Sequence, residues 1–130
     1  MTIDVFTFCD FAQENNGKLT VVGTYNVLNF KSLPSLHQNF FIALRVSFMP
    51  EEAGEHAIKF TLKRKEGGED VLPPLELKTQ TVINDGMASS LNLPINAAMI
   101  NFEREGTYVA TVTIDTNTSQ SIELYVKANG

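Results

Sequence analysis

The chain has 130 residues, near the size of one ordinary domain, and its 43% hydrophobic and 19% charged residues mark a globular rather than a disordered chain. Ten Lys and Arg against 15 Asp and Glu leave a net charge of −5, which argues against a general affinity for nucleic acid or anionic lipid and leaves only a local basic patch open. The single cysteine, Cys9, excludes an intramolecular disulfide and a cysteine-based zinc cluster.

The chain opens Met1-Thr2-Ile3-Asp4-Val5-Phe6 and lacks the positive n-region of a signal peptide. No apolar run approaches the ~20 residues of a membrane-spanning helix. A cytoplasmic location with no membrane contact is therefore expected, and the sequon Asn117-Thr118-Ser119 is read as chance. Residues 2–12 predict a strand with Ile3, Val5, Cys9 and Phe11 on one face and Phe6 and Phe8 on the other. A surface strand needs only one apolar face. Three explanations compete. The strand is central, with its second face covered by the 31–39 loop through Leu33 and Leu36. Or its alternation breaks near Phe6. Or Phe6 and Phe8 belong to an exposed patch that pairs with a second chain as a homodimer, extended by Phe41, Met49, Val109 and Tyr125.

Further strands are predicted at 18–30, 75–83 and 91–101, where 97–100 suits either a short helical turn or a buried strand. The clearest alternation sets Phe40, Ile42, Leu44, Val46 and Phe48 against Ala43, Arg45 and Ser47. His56, Ile58, Phe60 and Leu62 alternate in the same way. So do Tyr108, Ala110, Val112 and Ile114, and then Ile122, Leu124 and Val126. Turn signals fall at Asn15-Asn16-Gly17, Pro34, Pro50 to Gly54, Gly67-Gly68, Pro73-Pro74, Asn84-Asp85-Gly86, 103–106 and 116–119. About eight short strands at this spacing predict one all-β domain over 1–130, a two-sheet antiparallel sandwich of the immunoglobulin-like kind.

Two hairpins follow. One places Leu44 opposite Phe60, Val46 opposite Ile58 and Phe48 opposite His56; the other places Ile114 opposite Ile122 and Val112 opposite Leu124. The stretch from Gly54 to Phe60 also echoes that from Gly106 to Val112. A glycine two residues before Tyr108 predicts a tyrosine corner, in which the hydroxyl bonds back to the backbone.

The segments Val5-Phe6-Thr7-Phe8-Cys9-Asp10-Phe11-Ala12, Gly17-Lys18-Leu19 with Gly23, Phe48 through Gly54-Glu55-His56, and Leu72-Pro73-Pro74-Leu75 together resemble a bacterial family known only as a domain of unknown function. That resemblance implies an intracellular bacterial β-sandwich protein and supplies no activity, ligand or catalytic residue.

Chemistry is sparse. His56 lies near Glu51, Glu52 and Glu55, a set that could hold a metal or act as a base, but the pattern favours a partly buried histidine closing a hairpin end. His37 is expected in solvent. Cys9, beside Asp10 in an apolar strand, reads as inert core. The loop carboxylates Asp10, Glu14, Asp85 and Asp115 are too dispersed to predict a calcium site. Leu72-Pro73-Pro74-Leu75 could present a polyproline segment, but more often such a pair stiffens the entry to a strand. Nucleophile elbows, P-loops and dinucleotide fingerprints are absent. No catalytic residue, metal or cofactor is assigned, and an enzyme is not expected. Arg45, Lys59 and Lys63, with Lys65, form an outward basic stripe, offset by Glu76 or Glu123 or open to an anionic ligand. The expected function is a non-catalytic interaction or structural module with a protein partner; a small-ligand or carbohydrate-binding sandwich is the alternative.

Overall fold

The computed structural model describes residues 1–82 and 89–128. Eleven strands are found there: β1 (Thr2–Asn15), β2 (Lys18–Tyr25), β3 (Val27–Phe30), β4 (Ser35–Leu36), β5 (Phe41–Phe48), β6 (Gly54–Arg64), β7 (Asp70–Thr81), β8 (Ser89–Asn96), β9 (Asn101–Phe102), β10 (Gly106–Ile114) and β11 (Thr118–Ala128). The only helical element among the described residues is a 3-10 turn at Pro50–Glu52. The count exceeds eight because 18–30 and 91–101 each divide, and β4 is a further two-residue strand. β2 ends at Tyr25, and the chain then changes sheet to enter β3.

The strands form a four-stranded sheet ordered β2-β1-β5-β8, a five-stranded sheet ordered β3-β11-β10-β6-β7, and the small pair β4-β9. The chain is thus all-β with several sheets. β3 runs parallel to β11, which corrects the purely antiparallel expectation. One apolar core draws Phe8, Ile42 and Phe48 from the first sheet and Ile58, Val112 and Leu124 from the second. Leu44, Val46, Ile58, Phe60, Val112 and Leu124 are all buried as the alternation predicts.

The β5–β6 hairpin is not formed. β5 pairs with β1 and β8, whereas β6 pairs with β10 and β7. Alternation fixes which face is buried but not which strand lies alongside. The Pro50–Glu52 turn carries the chain from one sheet to the other. Phe48 and His56 still meet, but as stacked rings 4.4 Å apart across the core. The β10–β11 hairpin is formed, in another register. Ile114 faces Thr118 and Ala110 faces Ile122, a slip that preserves every face because it covers an even number of residues. Its reversal is tight: Asp115 and Thr116 have φ of 53° and 64°, as a type I′ turn demands.

Pro73-Pro74 is not a turn. Both prolines lie within β7, an edge strand. Between the pairs Phe60–Leu75 and Leu62–Leu72, β7 sets two residues, Pro73 and Pro74, against Thr61 alone. The result is a β-bulge, and an edge tolerates the two missing donors. Residues 97–100 form neither helix nor strand but a turn closed by Ile100 N–H donating to Ala97 O at 3.1 Å. The Asn84-Asp85-Gly86 signal lies outside the described residues.

β1 is a central strand. Phe6 and Phe8 enter the main core, so the exposed-patch reading of these two rings is overturned. The pairing register shifts between Ile3 and Val5, which lets Ile3 and Phe6 both serve the main core. The second face is not covered by the 31–39 loop: Leu33 packs on the main core and Leu36 is exposed. Instead Cys9, Ala12 and Ala43 form a separate buried cluster flanked by Val5, Leu19, Val21 and Phe41.

Phe60 is buried and meets the Phe6 ring edge-on at 6.4 Å. Phe60→Ala removes transfer energy and leaves a cavity, and should lower unfolding free energy by about 3–5 kcal/mol in urea titration.

Candidate functional site

The two sheet-entry glycines share one unusual backbone state, with φ of 133° at Gly54 and 137° at Gly106. Each starts a strand, β6 or β10, and the residue two positions on points its ring into the core. Tyr108 donates its hydroxyl to Arg104 O at 2.5 Å, the corner the sequence predicts. His56 makes the corresponding contact: its Nε2 lies 2.6 Å from Glu52 O, also four residues upstream. Because β6 and β10 are antiparallel, the two corners close opposite ends of the core. The internal echo in the sequence thus has a physical basis.

His56 is buried, with Nδ1 2.5 Å from Asp115 Oδ2. Asp115 Oδ1 accepts from Ala57 N–H at 2.8 Å. Burial opposes the His56 charge, but the hydrogen bonds to Asp115 and to Glu52 O, helped by nearby negative charge, outweigh it and raise the pKa above its ordinary value. The same bond lowers the Asp115 pKa. A metal ligand or general base needs a free nitrogen lone pair, and here both ring nitrogens face acceptors. Of the glutamates flagged beside His56, Glu52 offers the ring its carbonyl as acceptor and its carboxylate only as nearby charge, and Glu55 pairs instead with Lys78 at 3.6 Å. Sequence reasoning missed the Asp115 partner because it lies 59 residues away in another turn.

Arg45, Lys59 and Lys63 are not brought together. Arg45 belongs to the four-stranded sheet, where Nη1 donates to Asn92 Oδ1 at 2.7 Å and Nε lies 3.8 Å from Asp4 Oδ2. Lys59 faces Glu76 and Lys63 faces Asp70 across the β6–β7 ladder. Lys65 donates to Glu123 at 2.9 Å. Glu76 and Glu123, the two carboxylates expected to offset the stripe, thus stand beside Lys59 and Lys65. Lys59 also borders a groove of about 410 Å3 with Leu77, Thr113 and Thr116.

A second cleft of about 400 Å3 opens at the Tyr108 end of the core, lined by Arg64, Glu69, Asp70, Asn101, Arg104 and Tyr108, with Glu103 at its rim. Arg64 Nη2 donates to Glu105 O at 3.3 Å, while its buried Nε has no partner among the described residues. Burial, the largest effect, raises the Tyr108 pKa despite the Arg64 charge beside it. Arg64 follows the inward parity of Leu62, a signal the sequence carried and the outward basic stripe obscured.

Elsewhere the candidates are spent or scattered. Burial pushes the Cys9 thiol pKa up, as inert core requires. Glu14 accepts from Gly17 N–H at 2.9 Å, and Asp85 lies outside the described residues. Among the described residues no three His, Cys, Asp or Glu side chains gather around a possible metal position. His37 is not in open solvent but half-buried, edge-on to Tyr25 and Phe30. No helix among the described residues is long and apolar enough to cross a membrane.

Tyr108→Phe deletes the hydroxyl and leaves Arg104 O unpaired. It should cost about 1 kcal/mol in urea unfolding with the far-ultraviolet spectrum unchanged.

A family model described as a family of unknown function, DUF6941, matches residues 4–127. No curated protein and no solved structure matches the chain.

Proposed function

We propose that this chain, which belongs to the DUF6941 family of unknown function, is a non-catalytic interaction module that binds a protein partner through the outer face of its four-stranded sheet. The observation that carries this reading is the second apolar cluster. Cys9, Ala12 and Ala43 form a floor of small buried residues, flanked by Val5, Leu19, Val21 and Phe41. Phe11, 42% exposed, lies against Phe41 with ring centroids 5.4 Å apart. What this face presents is Phe11 with the half-buried Val5, Leu19, Val21 and Phe41 around the buried floor, an apolar area beside the Arg45–Asp4–Asn92 group, and such an area fits another apolar surface. Strand addition is disfavoured at three of the four main edges, because β7 carries the diproline bulge, β8 carries Pro94 and β3 has only four residues, and it remains open at β2, an eight-residue edge without proline. A second copy of the chain is the first occupant to test, since a two-fold pair buries such a face symmetrically.

Two main sheets sharing one core, with a tyrosine bonded back to its own strand entry, support an immunoglobulin-like sandwich. A lone buried thiol suits a reducing cytoplasm, and the sequence resemblance favours a bacterial source.

Val21→Lys places a charge on the proposed face. In light scattering across a dilution series, wild type should pass from dimer to monomer, and the variant should remain monomeric with its melting temperature retained. A wild type that is monomeric at every concentration overturns self-association.

The Arg64 cleft favours a second reading, binding of a small polar ligand or carbohydrate. Two guanidiniums, three carboxylates, Asn101 and Tyr108 converge there, and one Arg64 nitrogen has no partner among the described residues. Such mixed charge suits a molecule with both anionic and cationic or hydroxyl groups. Glutamate or glucosamine should raise the melting temperature of wild type but not of Arg104→Ala. If neither probe shifts wild type, the ligand reading falls.

A further inference from the structure

Four segments meet at His56, two of them close in sequence and two distant. The 3-10 turn between the sheets supplies Glu52 O, and the β10–β11 turn supplies Asp115. Thr81, the last residue of β7, donates its hydroxyl to Glu52 O at 3.3 Å and accepts from Gly54 N–H at 3.2 Å. From β5, Phe48 stacks on the imidazole. Asp115 is bound to β6 by a further backbone bond, its N–H donating to Ala57 O at 2.9 Å.

The electronic requirement is strict. Glu52 O is a carbonyl and can only accept; Asp115 Oδ2, as an ionised carboxylate, does the same. A neutral imidazole has one N–H and one lone pair. It can satisfy one of these partners, but it turns its lone pair on the other at a separation of 2.5 or 2.6 Å. Only the imidazolium, with two donors, satisfies both. The ring is buried, so water does not readily replace the lost bond.

We infer that His56 is a proton-operated clasp on the crossover between the two sheets: the imidazolium holds the Pro50–Glu52 turn to the β10–β11 turn, and the neutral ring releases one of them. This device is independent of the partner face and of the cleft. Among the described residues, the charged groups facing the ring are Asp115 and the Glu52 carboxylate, the latter holding the Met1 ammonium by Oε2 at 2.7 Å. Glu55 and Lys78 form a separate exposed pair. Phe48 on β5, and Thr79 and Thr81 on β7, are uncharged.

The direction of the pH response follows from the two shifts. The His56 pKa is raised, so its contribution is complete below the unfolded value of about 6.5 and is lost as pH rises through the folded value. The Asp115 pKa is lowered, so its contribution is present above about 3.9 and is lost as pH falls through its folded value. The clasp is closed across the mildly acidic range between them and opens on the alkaline side.

Nitrogen-15 spectra of the full chain test this directly, with His37→Gln to separate the two histidines. Both His56 ring nitrogens should be protonated at mildly acidic pH and titrate above the free-imidazole range. Exchange of the Gly54 and Ala57 amides should then rise with pH faster than intrinsic base catalysis accounts for. Asp115→Asn should lower the His56 titration point and remove that excess. If this variant fails to fold, the wild-type titration and exchange decide alone. A His56 ring that is neutral while its neighbours keep these positions, or amide exchange that follows intrinsic catalysis throughout, overturns the clasp.

Discussion

The structure depends on a constraint at one place: between Phe48 and His56 the chain leaves one sheet and enters the other while keeping both rings in the core. A hairpin would have kept the two strands side by side. The intervening Pro50–Glu52 turn instead moves the chain across, and Gly54 at φ 133° lets it enter β6 with His56 facing inward. Placing β6 in the second sheet gives it β10 and β7 as neighbours and leaves β5 to pair with β1 and β8. The contact between β5 and β6 becomes one of facing surfaces, expressed in the stacking of Phe48 on His56.

The ends of the core show how the fold handles polar rings. At one end Tyr108 bonds to the carbonyl four residues before it, and at the other His56 does the same. Each has a charged neighbour from a distant element, Arg64 in the first case and Asp115 in the second. Burying a polar group is tolerable when its bonds are made. The tyrosine needs one acceptor and is neutral, so its corner is indifferent to pH near neutrality. The histidine faces two acceptors, which makes its corner conditional on a proton. One backbone device, used twice, becomes a static support at one end and a titratable one at the other.

The outer surfaces divide along similar lines. On the four-stranded sheet, the central position of β1 gives the strand two buried faces, and the small side chains of Cys9, Ala12 and Ala43 leave a low apolar floor. On the five-stranded sheet two outward side chains of β6, Lys59 and Lys63, are set against Glu76 and Asp70 of β7. The first surface combines an apolar Phe11–Phe41 area with the Arg45–Asp4 pair, and the second carries charges of both signs. Pro73-Pro74 and Pro94 interrupt two of the sheet edges, β7 and β8, whereas the β2 edge runs eight residues without proline.

The all-β class, the inward face of every strongly alternating strand, the six core residues and the Tyr108 corner are written in the sequence. They follow from a two-residue period and from a local glycine-to-ring spacing, both properties of short segments. The echo between Gly54 and Gly106 is equally local, because glycine and ring stand two residues apart in both segments. Sheet membership was decided only by the tertiary structure, since an alternating strand buries the same face whether its neighbour in sequence lies beside it or across the core. The β10–β11 register needed the actual turn, because any even slip keeps apolar residues inside. The Pro73-Pro74 bulge depended on β7 being an edge, and the pairing of His56 with Asp115 depended on a turn brought in from 59 residues away. Such choices rest on non-local contacts between backbones, and hydrophobic period carries no information about them.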